Sequence, residues 1–163
     1  MSVGGSEAER VTIRGRVLDG DANPVADALL EIWQADESGT FSVDKAFLGQ
    51  RDEGGFFGFG RIPTNENGEF SFTTIKPGAV GGTNEKIQAP HVAALIFMRG
   101  LLKHLVTRIY FPDEAKNEED ELLRLVPAER RATLIARVDG REPNNLVWDV
   151  YLQGERETVF LEC

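Results

Sequence analysis

A chain of 163 residues, 41% apolar and 28% charged, has the length and composition of one soluble domain with a sizeable core. Its 27 acidic residues outnumber 18 basic ones, a formal net charge of −9, which argues against nucleic-acid binding because phosphate neutralisation needs a basic surface. The longest apolar run, Val92 to Met98, falls far short of the ~20 residues of a membrane span, so no membrane contact is expected.

The opening residues, MSVGGSEAER, have neither the basic start nor the apolar centre of a secretory signal. The single cysteine, Cys163, leaves no intrachain disulfide, and a cytoplasmic protein is expected. Residues 1–10 read as a flexible N-terminal segment ahead of one domain over 11–163. Turn signals such as Asp19-Gly20, Asn23-Pro24, Asn67-Gly68, Lys76-Pro77-Gly78 and Asp139-Gly140 divide that domain into short apolar segments. Between them, alternation and β-branched or aromatic enrichment predict strands at about 11–18, 28–34, 69–75, 91–98, 104–111, 134–138, 146–152 and 157–161. Many short strands with punctuating turns predict an all-β, antiparallel β-sandwich or barrel.

Two segments differ. Residues 54–60, GGFFGFG, read as a loop within the long connection from Glu37 to Pro63. A loop cannot bury Phe56, Phe57 and Phe59 by itself, so it folds over a sandwich face or meets a partner chain. Residues 113–133 are rich in Glu, Ala, Leu and Arg, which predicts one or two short helices near 114–133, with Pro127 opening the second. The acidic run Glu118 to Glu121 is either a hard-cation site or a solvated helix start that complements the dipole, and the second reading is preferred.

Chemistry-bearing residues are few. Two histidines, His91 and His104, with one cysteine cannot assemble a Cys/His zinc site. His91 opens a predicted strand and shares a face with Ala93, Leu95 and Phe97. A His-x-His pair there would grip one metal ion from a single strand, but its second position is Ala93. A lone histidine among apolar neighbours reads first as a hydrogen-bonded core residue. His104 alternates with Val106, Arg108 and Tyr110 and needs no special role. Tyr110, Trp33 and Trp148 read as packing residues or interface anchors, with the Tyr110 hydroxyl bonded nearby.

The runs ALLEIWQADESGTF (28–41), NGEFSFTTIKPG (67–78), APHVAALIF (89–97), LVTRIYFPDE (105–114) and QGERETVF (153–160) resemble the intradiol ring-cleaving dioxygenases. The likeness runs from about Val11 onward in the family's order. It implies an intradiol dioxygenase-like β-sandwich. Catalytic members hold Fe(III) with two tyrosines and two histidines, hard donors suited to a hard ion. The resemblance puts the tyrosine positions at Phe41 and Val80, the histidine positions at His91 and Ala93, and a family arginine at Gln88. One ligand of four remains, so by resemblance this chain has no catalytic residues and no metal of its own.

Within the family, the likeness is to the iron-free α subunit of members that cleave protocatechuate. Their β subunit holds the Fe(III) and uses O2 to open the ring to 3-carboxy-cis,cis-muconate, a step of aromatic catabolism in the β-ketoadipate pathway. The resemblance thus implies a β-subunit partner, a hetero-oligomer of αβ protomers, and an active site shared at their interface. Arg99, in FMRG, falls at the position of an α-subunit arginine lining that site. A guanidinium there would meet the planar carboxylate of protocatechuate, the alternative being a surface arginine in a turn. The family's α subunit carries an N-terminal arm before its first strand, whereas only about ten residues precede VTIRGRV here. A free-standing, transthyretin-like sandwich used only for binding is the competing reading. A self-sufficient dioxygenase is disfavoured by the missing ligands.

Overall fold

The computed structural model describes residues 8–41, 58–81 and 86–162. In chain order its strands are β1 (Arg10–Leu18), β2 (Leu29–Gln34), β3 (Phe59–Pro63), β4 (Glu69–Ile75), β5 (Val80–Gly81), β6 (Ile87–Gln88), β7 (His91–Phe97), β8 (Leu105–Tyr110), β9 (Arg137–Val138), β10 (Asn145–Val147) and β11 (Val150–Tyr151). Alternation explains the longer ones: Val11, Ile13 and Val17 of β1 are buried, while Arg10, Arg14 and Arg16 face solvent. One sheet pairs β4, β1, β10 and β9, with β11 continuing along β1; the other runs β3-β2-β7-β8. The inner faces of the two sheets share one core, including Ile13, Leu30, Ile32, Phe70, Val92, Ile96, Leu146 and Trp148. Removing each such side chain from water contributes about 1.5–3 kcal/mol.

Between the named strands the pairing is antiparallel except where β1 meets the C-terminal strands. Thr12 to Arg14 run parallel to Asn145 to Val147, and Val17 to Leu18 run parallel to Val150 to Tyr151. The predicted strand 146–152 is therefore two strands. Between them the Arg16 amide donates to the Asp149 side chain at 3.0 Å, and the Trp148 amide donates to the Arg14 carbonyl at 2.9 Å. This break requires Gly15, since a Cβ there would collide with the Trp148 carbonyl. The predicted strand over 157–161 reduces to one bridge, Val106 to Leu161. The predicted strand over 134–138 shrinks to β9, because Leu134 still belongs to a helical turn.

Two further departures concern the connections. Phe59 and Gly60, read as loop, begin β3, where Phe59 pairs with Trp33 in register and its ring packs at 4.4 Å, tilted by 50°. The glycines of GGFFGFG mask the strand pattern there. Phe56 and Phe57 lie outside the described residues. Residues 113–133 do turn helical, but as two 3₁₀ segments, Ala115–Glu119 and Ala128–Leu134, around one α-helical turn, α1 (Glu121–Leu125). Asp120 caps α1 by accepting from the Leu123 amide, and Pro127 precedes the second 3₁₀ segment. These segments cover the outer face of β8 through a second cluster of Ala89, Tyr110, Leu123, Val126 and Leu134.

Candidate functional site

The outer face of the β3-β2-β7-β8 sheet is built in cross-strand rows. One row reads Phe59, Trp33, Ala93, Arg108; the next, toward the start of β7, pairs His91 with Tyr110. Period-2 geometry thus sets His91, Ala93, Arg108 and Tyr110 on one face. His91 is 6% exposed, and Nδ1 of its ring lies 2.8 Å from the Ala89 carbonyl. The Tyr110 ring sits 5.7 Å away.

Tyr110 is fully buried, and its hydroxyl donates to Asp120 Oδ1 at 3.1 Å while accepting from Arg108 Nη1 at 3.2 Å. Burial, above all, pushes the Tyr110 phenol up to about 12. Burial also holds His91 below its ordinary range, and the positive charge of Arg108 acts in the same direction. The sequence predicts Asp120 as part of a solvated acidic run, yet it is 1% exposed. Its Oδ2 accepts from the Ala89 amide at 2.9 Å, and Oδ1 accepts from Leu123 as well as Tyr110. The helical cap fixes it, so it turns inward while Glu118, Glu119 and Glu121 stay exposed.

Of the remaining candidate positions, Gln88 adjoins this network and Val80 is its strand partner. Val80 pairs with Gln88 across β5 and β6. Gln88 lines a cleft of about 260 Å³ with Arg108 and Asp120. Phe41 is 41% exposed, at the end of a turn whose Gly39 packs so closely on Ala79 that a Cβ would collide with its carbonyl. Arg99 is not part of this neighbourhood. It follows the opposite end of β7, on the order of 25 Å away along the strand. There it lies in a turn with Gly100, its side chain 91% exposed, with Nε donating to Asp27 Oδ2 at 2.8 Å.

His104, just before β8, is exposed and rests its ring 5.3 Å from Phe97. Trp148 is buried in the core, its Nε1 donating to the Thr133 carbonyl at 2.9 Å. Sequence reasoning missed Arg108 and Asp120 as partners of one network. The available signals were the strand alternation that sets Arg108 beside Ala93, and a capping aspartate ahead of the apolar Leu122-Leu123.

The donor set does not suit Fe(III). Phe41, Val80 and Ala93 have no donor atom, the Tyr110 oxygen is already engaged twice, and the guanidinium of Arg108 stands beside it. Among the described residues no group of three or more His, Cys, Asp or Glu is arranged to hold a metal ion. Nor, among them, is any helix long and apolar enough to cross a membrane.

A family model described as Dioxygenase matches residues 1–154. The protocatechuate 3,4-dioxygenase alpha chain of Burkholderia cepacia is 41% identical over 162 residues, covering 96% of this chain and 79% of that one. The corresponding alpha chain of Pseudomonas putida is 40% identical, covering 94% and 76%. The beta chain of the Burkholderia cepacia enzyme is 34% identical, covering 92% and 67%. Among solved structures, 3-chlorocatechol 1,2-dioxygenase from Rhodococcus opacus 1CP superposes with a TM-score of 0.70 at 24% identity, over 93% of this chain and 61% of that one, a likeness of fold.

Proposed function

The chain belongs to the intradiol dioxygenase family, an iron-dependent one, and from that premise we propose that it is the non-catalytic alpha subunit of a protocatechuate 3,4-dioxygenase. One observation carries the reading: a chain 41% identical to an alpha chain has Phe41, Val80 and Ala93 at three of the four ligand positions implied by its resemblance to the family. In this proposal the Fe(III) belongs to a beta subunit, and the cytoplasmic αβ hetero-oligomer cleaves protocatechuate with O2 to 3-carboxy-cis,cis-muconate. Arg99 is proposed to reach the shared pocket. Its exposure and its position in a turn at a strand end let the side chain leave the sandwich. The pair with Asp27 is an exposed one, so exchanging that carboxylate for the substrate's costs little. One domain over 11–163 is proposed, its first strand starting one residue earlier, at Arg10.

The test is iron content and visible absorbance of the chain purified alone and co-expressed with an iron-bearing beta chain. The expected result is a colourless chain alone and a complex with tyrosinate-to-iron absorbance. Iron and colour in the chain alone would overturn the assignment.

A further inference from the structure

Arg108, a half-buried residue, has one side-chain hydrogen bond among the described residues, and it goes to a neutral phenol, Tyr110. Arginine offers five N–H donors in a planar fork. The nearby anion, Asp120, is already occupied by the Ala89 and Leu123 amides and by the Tyr110 hydroxyl. Lys86 and Glu121, on the rim, neutralise each other at 2.7 Å. Arg108 therefore lines the cleft of about 260 Å³ with no directly bonded counter-ion among the described residues. A cation withdrawn from water without one is unfavourable.

The other walls define what completes the site. Ile87, Leu122 and Leu125 line the same cleft, and Leu125 is 85% exposed, an apolar surface left open to solvent. Gln88 adds an amide. We propose that this cleft takes a carboxylate with a small apolar body, whose oxygens meet the Arg108 fork and whose body lies against Ile87, Leu122 and Leu125. The carboxylate comes from a free small acid or from an acidic side chain of a partner. The site is separate from Arg99, so the proposal goes beyond the pocket-lining role given to that residue.

The probe is benzoate, titrated calorimetrically into the full chain, with catechol as the uncharged comparison. Binding is expected to saturate, to be at least tenfold weaker for catechol, and to weaken about tenfold or more in Arg108→Gln, with Arg108→Lys in between. Thermal melts check that the variants fold. If Arg108→Gln does not fold, Ile87→Glu on the exposed rim carries the same test, because an internal carboxylate would engage Arg108 and displace benzoate. Undiminished benzoate binding in that variant would overturn the free-acid source. If benzoate binds no better than catechol, the second arm measures association with an iron-bearing beta chain. An affinity loss of about tenfold in Arg108→Gln assigns the carboxylate to the partner. No effect in either arm overturns the proposal. The calorimetric arm needs no second chain, so failure of the alpha-subunit reading is seen separately.

Discussion

Tyr110 and Asp120, ten residues apart, are joined by a 3.1 Å hydrogen bond in which the phenol donates to a carboxylate that is 1% exposed. That carboxylate also holds the Ala89 amide just before β7 and the Leu123 amide that opens α1. One side chain thus ties a strand, a strand entry and a helical turn together.

Replacing Asp120 by alanine leaves three buried donors without an acceptor. Asp120→Ala is expected to lower stability by about 3 kcal/mol, read by urea denaturation. Asp120→Asn keeps one acceptor oxygen and is expected to lose less. Equal stability of Asp120→Ala and wild type would contradict the role given to this residue.

Gly15→Ala drives a methyl into the Trp148 carbonyl, a backbone atom that cannot swing away. The expected loss is about 3 kcal/mol. Gly81→Ala, where no atom of the described residues lies within 4 Å of the added methyl, is the control and should stay within about 0.5 kcal/mol of wild type.

Stability should fall at both ends of the pH scale for separate reasons. His91 has a folded pKa below its ordinary value, so its contribution is complete above the unfolded value and is lost as pH falls from there toward the folded one. Melting temperatures measured through that window should decline less in His91→Gln. Tyr110 has a folded pKa raised from 10.0 to about 12. Its contribution, about 2 to 3 kcal/mol, is complete below the lower value and is lost as pH rises toward the upper one. Ultraviolet titration should find the Tyr110 phenolate forming near 12, and Tyr110→Phe should remove that alkaline loss.

Arg99→Ala should scarcely change stability at neutral pH, because the pair with Asp27 is exposed. The Arg99 hydrogen bond, first, holds the Asp27 carboxyl below its ordinary range. Any contribution from the pair is present above the unfolded value and is lost as pH falls through the folded one. In Arg99→Ala the Asp27 titration, followed by NMR, should move back up. In a complex with the beta chain, KM for protocatechuate should rise roughly tenfold while that for catechol stays unchanged. An equal rise for both would remove the carboxylate role.

Strand alternation made β1, β2, β4, β7 and β8 legible to within a residue or so, because each buries one face and its side chains follow a period of two. The break at Trp148-Asp149 was not legible. It depends on Gly15 approaching from a strand far away in sequence, and nothing local marks it. The glycines around Phe59 outweigh its strand signal in the sequence, so the sequence alone reads as loop there. The positions lacking donor atoms were readable one by one. What occupies their neighbourhood was not, since Arg108 comes from a strand and Asp120 from a helical cap. A linear acidic run does not reveal which of its members turns inward.

The parallel junction of β1 with the far end of the chain has a consequence for synthesis. Arg16 and Asp149 are 133 residues apart, so β1 leaves the ribosome long before one of its two edges has a partner. β4 covers the other edge early, which leaves an intermediate with one unpaired row of backbone donors and acceptors. Such long-range closure slows folding and lengthens the interval in which that row can capture a strand from a neighbouring nascent chain. Truncation before residue 145 is therefore expected to yield aggregates rather than a smaller soluble sandwich.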